Sequence, residues 1–77
     1  MTTEVNFEVG QLYRVKGPRG RSMGTGYELS GDAEVYIGSE DVVLMIDHLA
    51  RNRAWFIGLV KERLLVLAKD EFVKVKM

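Results

Sequence analysis

The chain has few of the side chains that most often form disulfides or bind metal ions. Its 77 residues include no cysteine, one histidine, one proline and one tryptophan. Without cysteine there are no disulfides and no thiolate metal sites, and one histidine among scattered acids does not make a structural zinc site. The core must therefore hold the fold unaided, although a domain of this size buries only about 60% of its unfolded surface. We expect one small domain spanning residues 1–77.

Long apolar runs are also missing, although 47% of the residues are hydrophobic. No run approaches the ~20 residues of a membrane span. The opening MTTEVNFEVG contains acids but no lysine or arginine, which is unlike a secretion signal. We therefore expect a cytoplasmic location by default and no contact with a membrane.

A catalytic centre has no obvious components in this sequence. His48 follows Asp47, but neighbours along a strand point to opposite faces. The serines, at positions 22, 30 and 39, do not accompany a base, and there is no cysteine nucleophile. The glycine-rich stretch lacks the Gly-Lys-Ser/Thr ending of a nucleotide loop. We expect that the protein is not an enzyme and uses no cofactor or metal.

The most distinctive stretch is residues 10–26, GQLYRVKGPRGRSMGTG. It holds five of the eight glycines and the only proline, with four cations and no acid: Arg14, Lys16, Arg19 and Arg21. Glycine and proline interrupt helices and strands, so we predict a loop over residues 17–26. A long loop in so short a chain is a candidate working surface.

Alternating apolar and polar residues predict several short strands. The run at 42–46 is ambiguous, because it could be a strand buried on both faces or a helix capped by Ser39. Polar breaks at 48–53 and 61–63 have the spacing of hairpin connections. We therefore predict an all-β fold, with an α+β fold containing a helix after Ser39 as the alternative. The remaining predicted strands are residues 5–9, 12–16, 27–29, 33–37, 55–60, 64–68 and 72–77.

The order of these elements resembles an SH3-like barrel of about five strands with a long glycine-rich first loop. Residues 69–72 are similar to the short 3₁₀ turn that precedes the closing strand of that fold. The resemblance implies a non-catalytic binding or regulatory module. The paired tryptophan of peptide-binding members is replaced by Trp55-Phe56, so recognition of proline-rich peptides is not implied. The opening FEVGQLYRV also resembles the first strand of small phage-encoded β proteins, which implies a protein that engages a host protein.

Residues 10–26 are also similar to the KOW motif of ribosomal proteins and transcription elongation factors. This resemblance implies contact with RNA, or with the transcription or translation machinery, through the loop. The matching positions are Gly10, Val15, Gly17, Pro18, Gly20 and Gly24.

Charge is balanced overall but segregated along the chain. The net charge is zero, yet residues 27–48 carry six acids and no lysine or arginine, while residues 49–77 carry seven cations and three acids. One interpretation is that the blocks pair across the fold. The other is one acidic and one basic face that steer a charged partner.

We expect another protein as the main partner, because the zero net charge favours a protein over bulk nucleic acid. Nucleic acid bound through the basic loop is the alternative, and self-association through an open sheet edge is left open. Cations would hold phosphates, and aromatic rings would anchor a protein or stack on a base. The predicted contact residues are Tyr13, Arg14, Lys16, Arg19, Arg21, Tyr27, Trp55 and Phe56.

Overall fold

The computed structural model describes residues 7–16, 23–30 and 33–75, and within them it contains seven strands, one 3₁₀ helix and no α-helix. The all-β prediction is confirmed, and the alternative helix after Ser39 is wrong because β4 occupies that region. The strands are β1 (Leu12–Val15), β2 (Met23–Glu28), β3 (Glu34–Gly38), β4 (Val43–His48), β5 (Trp55–Val60), β6 (Arg63–Ala68) and β7 (Phe72–Lys74). The 3₁₀ helix, Lys69–Glu71, lies where the sequence predicts one.

All seven strands form one open antiparallel sheet in the order β3-β2-β6-β5-β4-β1-β7. The SH3-like resemblance implies about five strands, and the described residues hold seven because β2 and β3 form an additional hairpin, whose first strand takes up residues 23–26 of the expected loop. The sheet curls so that its distant parts meet at Glu71. The carboxylate Oε1 of Glu71 accepts a hydrogen bond from the Thr25 backbone N–H in β2 at 3.1 Å. The carbonyl of Glu71 accepts one from Lys16, just after β1, at 2.8 Å.

The predicted loop is wrong over residues 23–26, which form the first part of β2. Gly24 and Gly26 both lie on the buried face of this strand. A Cβ atom added at Gly26 would lie 2.6 Å from Cδ2 of Leu67. Glycine is therefore required here for close packing rather than for a turn. Residues 17–22, the rest of the predicted loop, lie outside the described residues.

The predicted strand at residues 5–9 is wrong over its described part, residues 7–9. Phe7 packs into the core instead, and its ring stacks on Tyr13 with centroids 4.4 Å apart. The backbone N–H of Glu8 donates to the Tyr13 hydroxyl at 2.9 Å. Gly10 then turns the chain with a φ of 92°, a conformation that glycine adopts without steric cost. The segment thus closes one end of the core rather than pairing as a strand.

The core combines an aromatic cluster with aliphatic side chains from most strands. Phe56 contacts three other aromatic rings, with the nearest centroids 5.1 Å apart. Burying each large side chain contributes about 1.5–3 kcal/mol. Met45 is also fully buried among them. The core members are Phe7, Tyr13, Val15, Ile37, Val43, Met45, Phe56, Val60, Leu65, Leu67 and Phe72.

The hairpin between β5 and β6 closes with a two-residue turn, Lys61-Glu62. Val60 is in register with Arg63, and both turn residues have positive φ, 50° and 66°. This is the pattern of a type I′ turn, which matches the twist of the two strands but normally uses asparagine and glycine. Two ordinary side chains are therefore held in the left-handed region.

We predict that Gly58→Ala destabilises the protein by about 1–3 kcal/mol, because a Cβ there overpacks the core. That atom would lie 2.5 Å from Cγ1 of Val43 and 2.9 Å from Cδ1 of Leu67. The control is Gly38→Ala, whose Cβ would meet only the flexible side chain of Glu40. Urea unfolding of both variants measures the difference, and equal free energies of unfolding would contradict the packing account.

We predict that Glu62→Gly stabilises the protein by about 0.5–1 kcal/mol, because glycine removes the left-handed strain and keeps Lys61 unchanged. The control is Glu40→Gly. Glu40 is an exposed turn residue, and it is not one of the described non-glycine residues that have a positive φ. Thermal unfolding should show a higher Tm for the first variant only. A lower Tm for Glu62→Gly would show that the turn is not strained.

Candidate binding surface

The outer face of the sheet, opposite the core, is unusually apolar at its centre. Side chains alternate between the two faces of a strand, and an antiparallel sheet usually has polar residues on its outer side. Both β5 and β6, WFIGLV and RLLVLA, instead carry apolar residues at outward positions too. The outward residues of these strands are Trp55, Ile57, Leu59, Leu64, Val66 and Ala68.

The register of the strands lines up leucines in a row across this face. Leu12 pairs with Leu44, Leu44 with Leu59, and Leu59 with Leu64. The N–H of Leu29, just past β2, donates to the carbonyl of Leu64 at 3.3 Å and extends the row. We call Leu12, Leu44, Leu59, Leu64 and Leu29 the aliphatic stripe. Five strand positions at the usual spacing make it about 20 Å long, and its last two residues are 43% and 50% exposed.

Three aromatic residues lie on the same face beyond the stripe. Trp55 pairs with Ala68 in β6, and the small Ala68 side chain leaves room for Tyr27 to reach across. The rings of Tyr27 and Trp55 are 6.3 Å apart between centroids and tilted by 53°. Tyr36, in register with Thr25 of β2, points outward on the next strand. We call Tyr27, Tyr36 and Trp55 the aromatic platform.

The structure brings together two of the predicted contact residues, Tyr27 and Trp55. Two others are corrected: Tyr13 and Phe56 have no exposed surface and belong to the core, so they offer nothing to a partner. Their place in the core depends on packing between distant segments, which local alternation does not reveal. Arg19 and Arg21 lie outside the described residues.

Arg14 and Lys16 are both exposed, and Arg14 lies away from Trp55 along the sheet. Leu12 and Leu59 occupy the same row of the sheet, and Arg14 lies on one side of that row while Trp55 lies on the other. The register separates the two by about six residues along the strands, or roughly 20 Å. The predicted basic and aromatic contacts therefore do not form one site through Arg14.

A different pair of cations lies next to the platform in the chain. Arg51 and Arg53 are exposed in the loop between β4 and β5, which leads directly into Trp55. The loop is held by hydrogen bonds from Trp55 N–H to the Asn52 carbonyl at 3.1 Å and from Lys69 N–H to the Ala54 carbonyl at 2.8 Å. Sequence reasoning missed these arginines as a site, although the signal, RNRAW, was present.

The segregated charges pair across the sheet at two points. Asp41 and Glu28 from the acidic block meet Lys61 and Arg63 from the basic block at 3.5 and 3.3 Å. The interpretation that the blocks pair is thus confirmed at these positions. The two cations are more than half exposed, so such pairs stabilise the fold by about 1 kcal/mol at most.

Within residues 7–16, 23–30 and 33–75, no three histidine, aspartate or glutamate side chains come together as metal ligands. In that same part of the chain, no helix has the length and apolar character needed to cross a membrane.

Comparison of the chain with protein-family models, curated proteins and solved structures gave no match. The SH3-like and KOW-like resemblances therefore stay predictions.

Proposed function

We propose that this protein is a non-catalytic, regulatory module that binds another protein through the outer face of its sheet. The observation that carries the proposal is the apolar outer side of β5 and β6. Soluble monomers rarely expose contiguous apolar patches of more than a few hundred Å², and larger ones commonly mark interaction sites. The aliphatic stripe forms the contact in this proposal.

The surroundings of the stripe support a protein as partner. The stripe itself contains no charged side chain, so its contacts are apolar ones. Around it on the same face, Arg14 lies two positions beyond Leu12 in β1, and Asp47 is in register with Ile57; both are exposed. An apolar centre with a polar, solvent-accessible rim is the usual anatomy of a protein–protein interface.

We further propose that the arrangement is SH3-like, with the β2–β3 hairpin as an insertion. What supports this is the chain order: β1 is followed by the hairpin, then by the consecutive strands β4, β5 and β6, then by the 3₁₀ helix and β7. The last strand pairs with the first, as Arg14 opposite Val73 shows.

A KOW-like contact with RNA is the second candidate. The observation that favours it is that Arg14 and Lys16 are both exposed immediately before residues 17–22. Of the matching glycines, Gly24 lies in a strand and a Cβ there would meet Phe72 Cζ at 3.2 Å, so this position serves packing. The candidate therefore depends on the cations and on residues 17–22.

We predict that Leu64→Glu abolishes capture of a protein partner, because a charge in the centre of an apolar contact must be desolvated. Tagged protein would be incubated with a bacterial lysate, chosen for the phage-like opening, with and without nuclease at two salt concentrations. Val9→Glu is the matched control, since Val9 is 56% exposed and lies outside the sheet. A discrete protein retained by wild type and Val9→Glu, but at least tenfold less by Leu64→Glu, supports the proposal.

Two results of that capture would contradict it. Equal retention by Leu64→Glu and wild type would show that the partner does not bind through the stripe. Recovery of RNA or ribosomal components that are lost after nuclease treatment would favour the KOW-like RNA contact over protein binding. Circular dichroism of each variant confirms that it is folded.

We predict that charge reversal at Arg19 and Arg21 weakens partner binding and leaves the unfolding transition unchanged. For an RNA partner the affinity should also fall steeply with salt, since phosphate contacts release counterions. Capture by the Arg19→Glu/Arg21→Glu variant, at both salt concentrations, checks this. Unchanged affinity would show that these arginines do not contact the partner.

A further inference from the structure

The aromatic platform is a second feature of the outer face, with chemistry different from that of the stripe. Tyr36 is 59% exposed and Tyr27 is 42% exposed, while Trp55 is half-buried beside Tyr27. Tyr36 is in register with Thr25 and Trp55 with Ala68, and Tyr27 lies between them in the adjacent row of the sheet. Rings on a sheet are held by register and lose little freedom when a flat ligand stacks on them.

The charge beside the platform is positive. Arg51 and Arg53 are exposed in the loop before Trp55, and residues 49–60 contain no acid. The backbone of Lys69 is tied to this loop, since its N–H donates to the Ala54 carbonyl, but its ammonium lies over the Phe7 ring, 5.7 Å from the centroid. Arginine holds phosphates and also stacks on planar groups.

We infer that the aromatic platform and the loop containing Arg51 and Arg53 bind single-stranded nucleic acid. Unpaired bases stack on the exposed rings, and the arginines hold the phosphates of the same strand. Exposed aromatics on a sheet face beside cations are the combination that single strands require, since every base has a stackable face. A duplex is disfavoured because its bases are already stacked on each other and present no free faces.

This site is separate from the proposed protein contact. The stripe lies in the row of Leu59, whereas the platform lies in the rows of Ile57 and Trp55. It also differs from the KOW-like candidate, which uses Arg14, Lys16 and residues 17–22. A protein partner and a nucleic acid can thus be tested with different variants of one chain.

Two exposed acidic residues oppose the site: Asp47, which is in register with Ile57, and Glu34. Glu34 is exposed at the edge of the sheet and is in register with Tyr27. Its carboxylate repels phosphates that approach the platform. Removing this charge, with Glu34→Gln, should therefore tighten binding of a single strand.

The test uses Trp55 as its own reporter, because it is the sole tryptophan. Wild-type protein is titrated with oligo(dT) and oligo(U) at about 50 mM salt, and a base stacking on Trp55 should quench its fluorescence saturably. Arg51→Glu/Arg53→Glu and Tyr27→Ser/Tyr36→Ser should each weaken binding by roughly five- to fiftyfold. Raising the salt to about 200 mM should weaken wild-type binding severalfold, and Glu34→Gln should bind more tightly than wild type.

The control is Leu64→Ser, which alters the stripe without adding a charge near Tyr27 and should bind oligonucleotides to within about twofold of wild type if the two sites are separate. No saturable quenching by either oligonucleotide at low salt would overturn the inference. Equal affinity of wild type and Arg51→Glu/Arg53→Glu would do so as well. Either result leaves protein capture through the stripe intact, so failure of this inference is distinguishable from failure of the proposed function.

Discussion

The fold depends on the space that two glycines leave around Leu67. Gly26 in β2 and Gly58 in β5 lie on either side of β6, and a Cβ at either position would come within 3 Å of the Leu67 side chain. Leu67 is fully buried there. Because the three strands pack this closely around one side chain, their register is fixed, since a shift by one residue would place a side chain where only hydrogen fits. The positions of the stripe and of the platform both follow from that register.

Glu71 provides the complementary constraint, where the first part of β2 meets the end of β1. It lies in the 3₁₀ helix before β7, and it binds backbone groups next to β1 and within β2. The sheet is therefore curled over its core although its strand order is open. This curvature brings the end of β1 and the first part of β2 to the same 3₁₀ helix.

Local sequence patterns predicted the all-β class and the hairpin connections, because alternation and polar turns are local signals, whereas the 3₁₀ helix was implied only by the SH3-like resemblance. They failed at β2 and at Phe7, where glycine and an aromatic ring act through packing against distant residues. Tyr27 and Trp55 were identified individually, but their contact depends on the pairing of β2 with β6. Strands apolar on both faces also hide which aromatic is inside, so Phe56 and Trp55 could not be distinguished.

The two-sided apolar character of β6 also has a consequence before the protein is folded. Its LLVLA segment has no charge, no proline and high β-propensity, which is the composition that promotes aggregation of an exposed chain. Charged triplets flank the segment on both sides, Lys61-Glu62-Arg63 and Lys69-Asp70-Glu71. Such flanking residues act as gatekeepers that oppose intermolecular strand pairing. The same residues that shape the turn and the 3₁₀ helix thus protect the nascent chain while its most apolar strand is still unpaired.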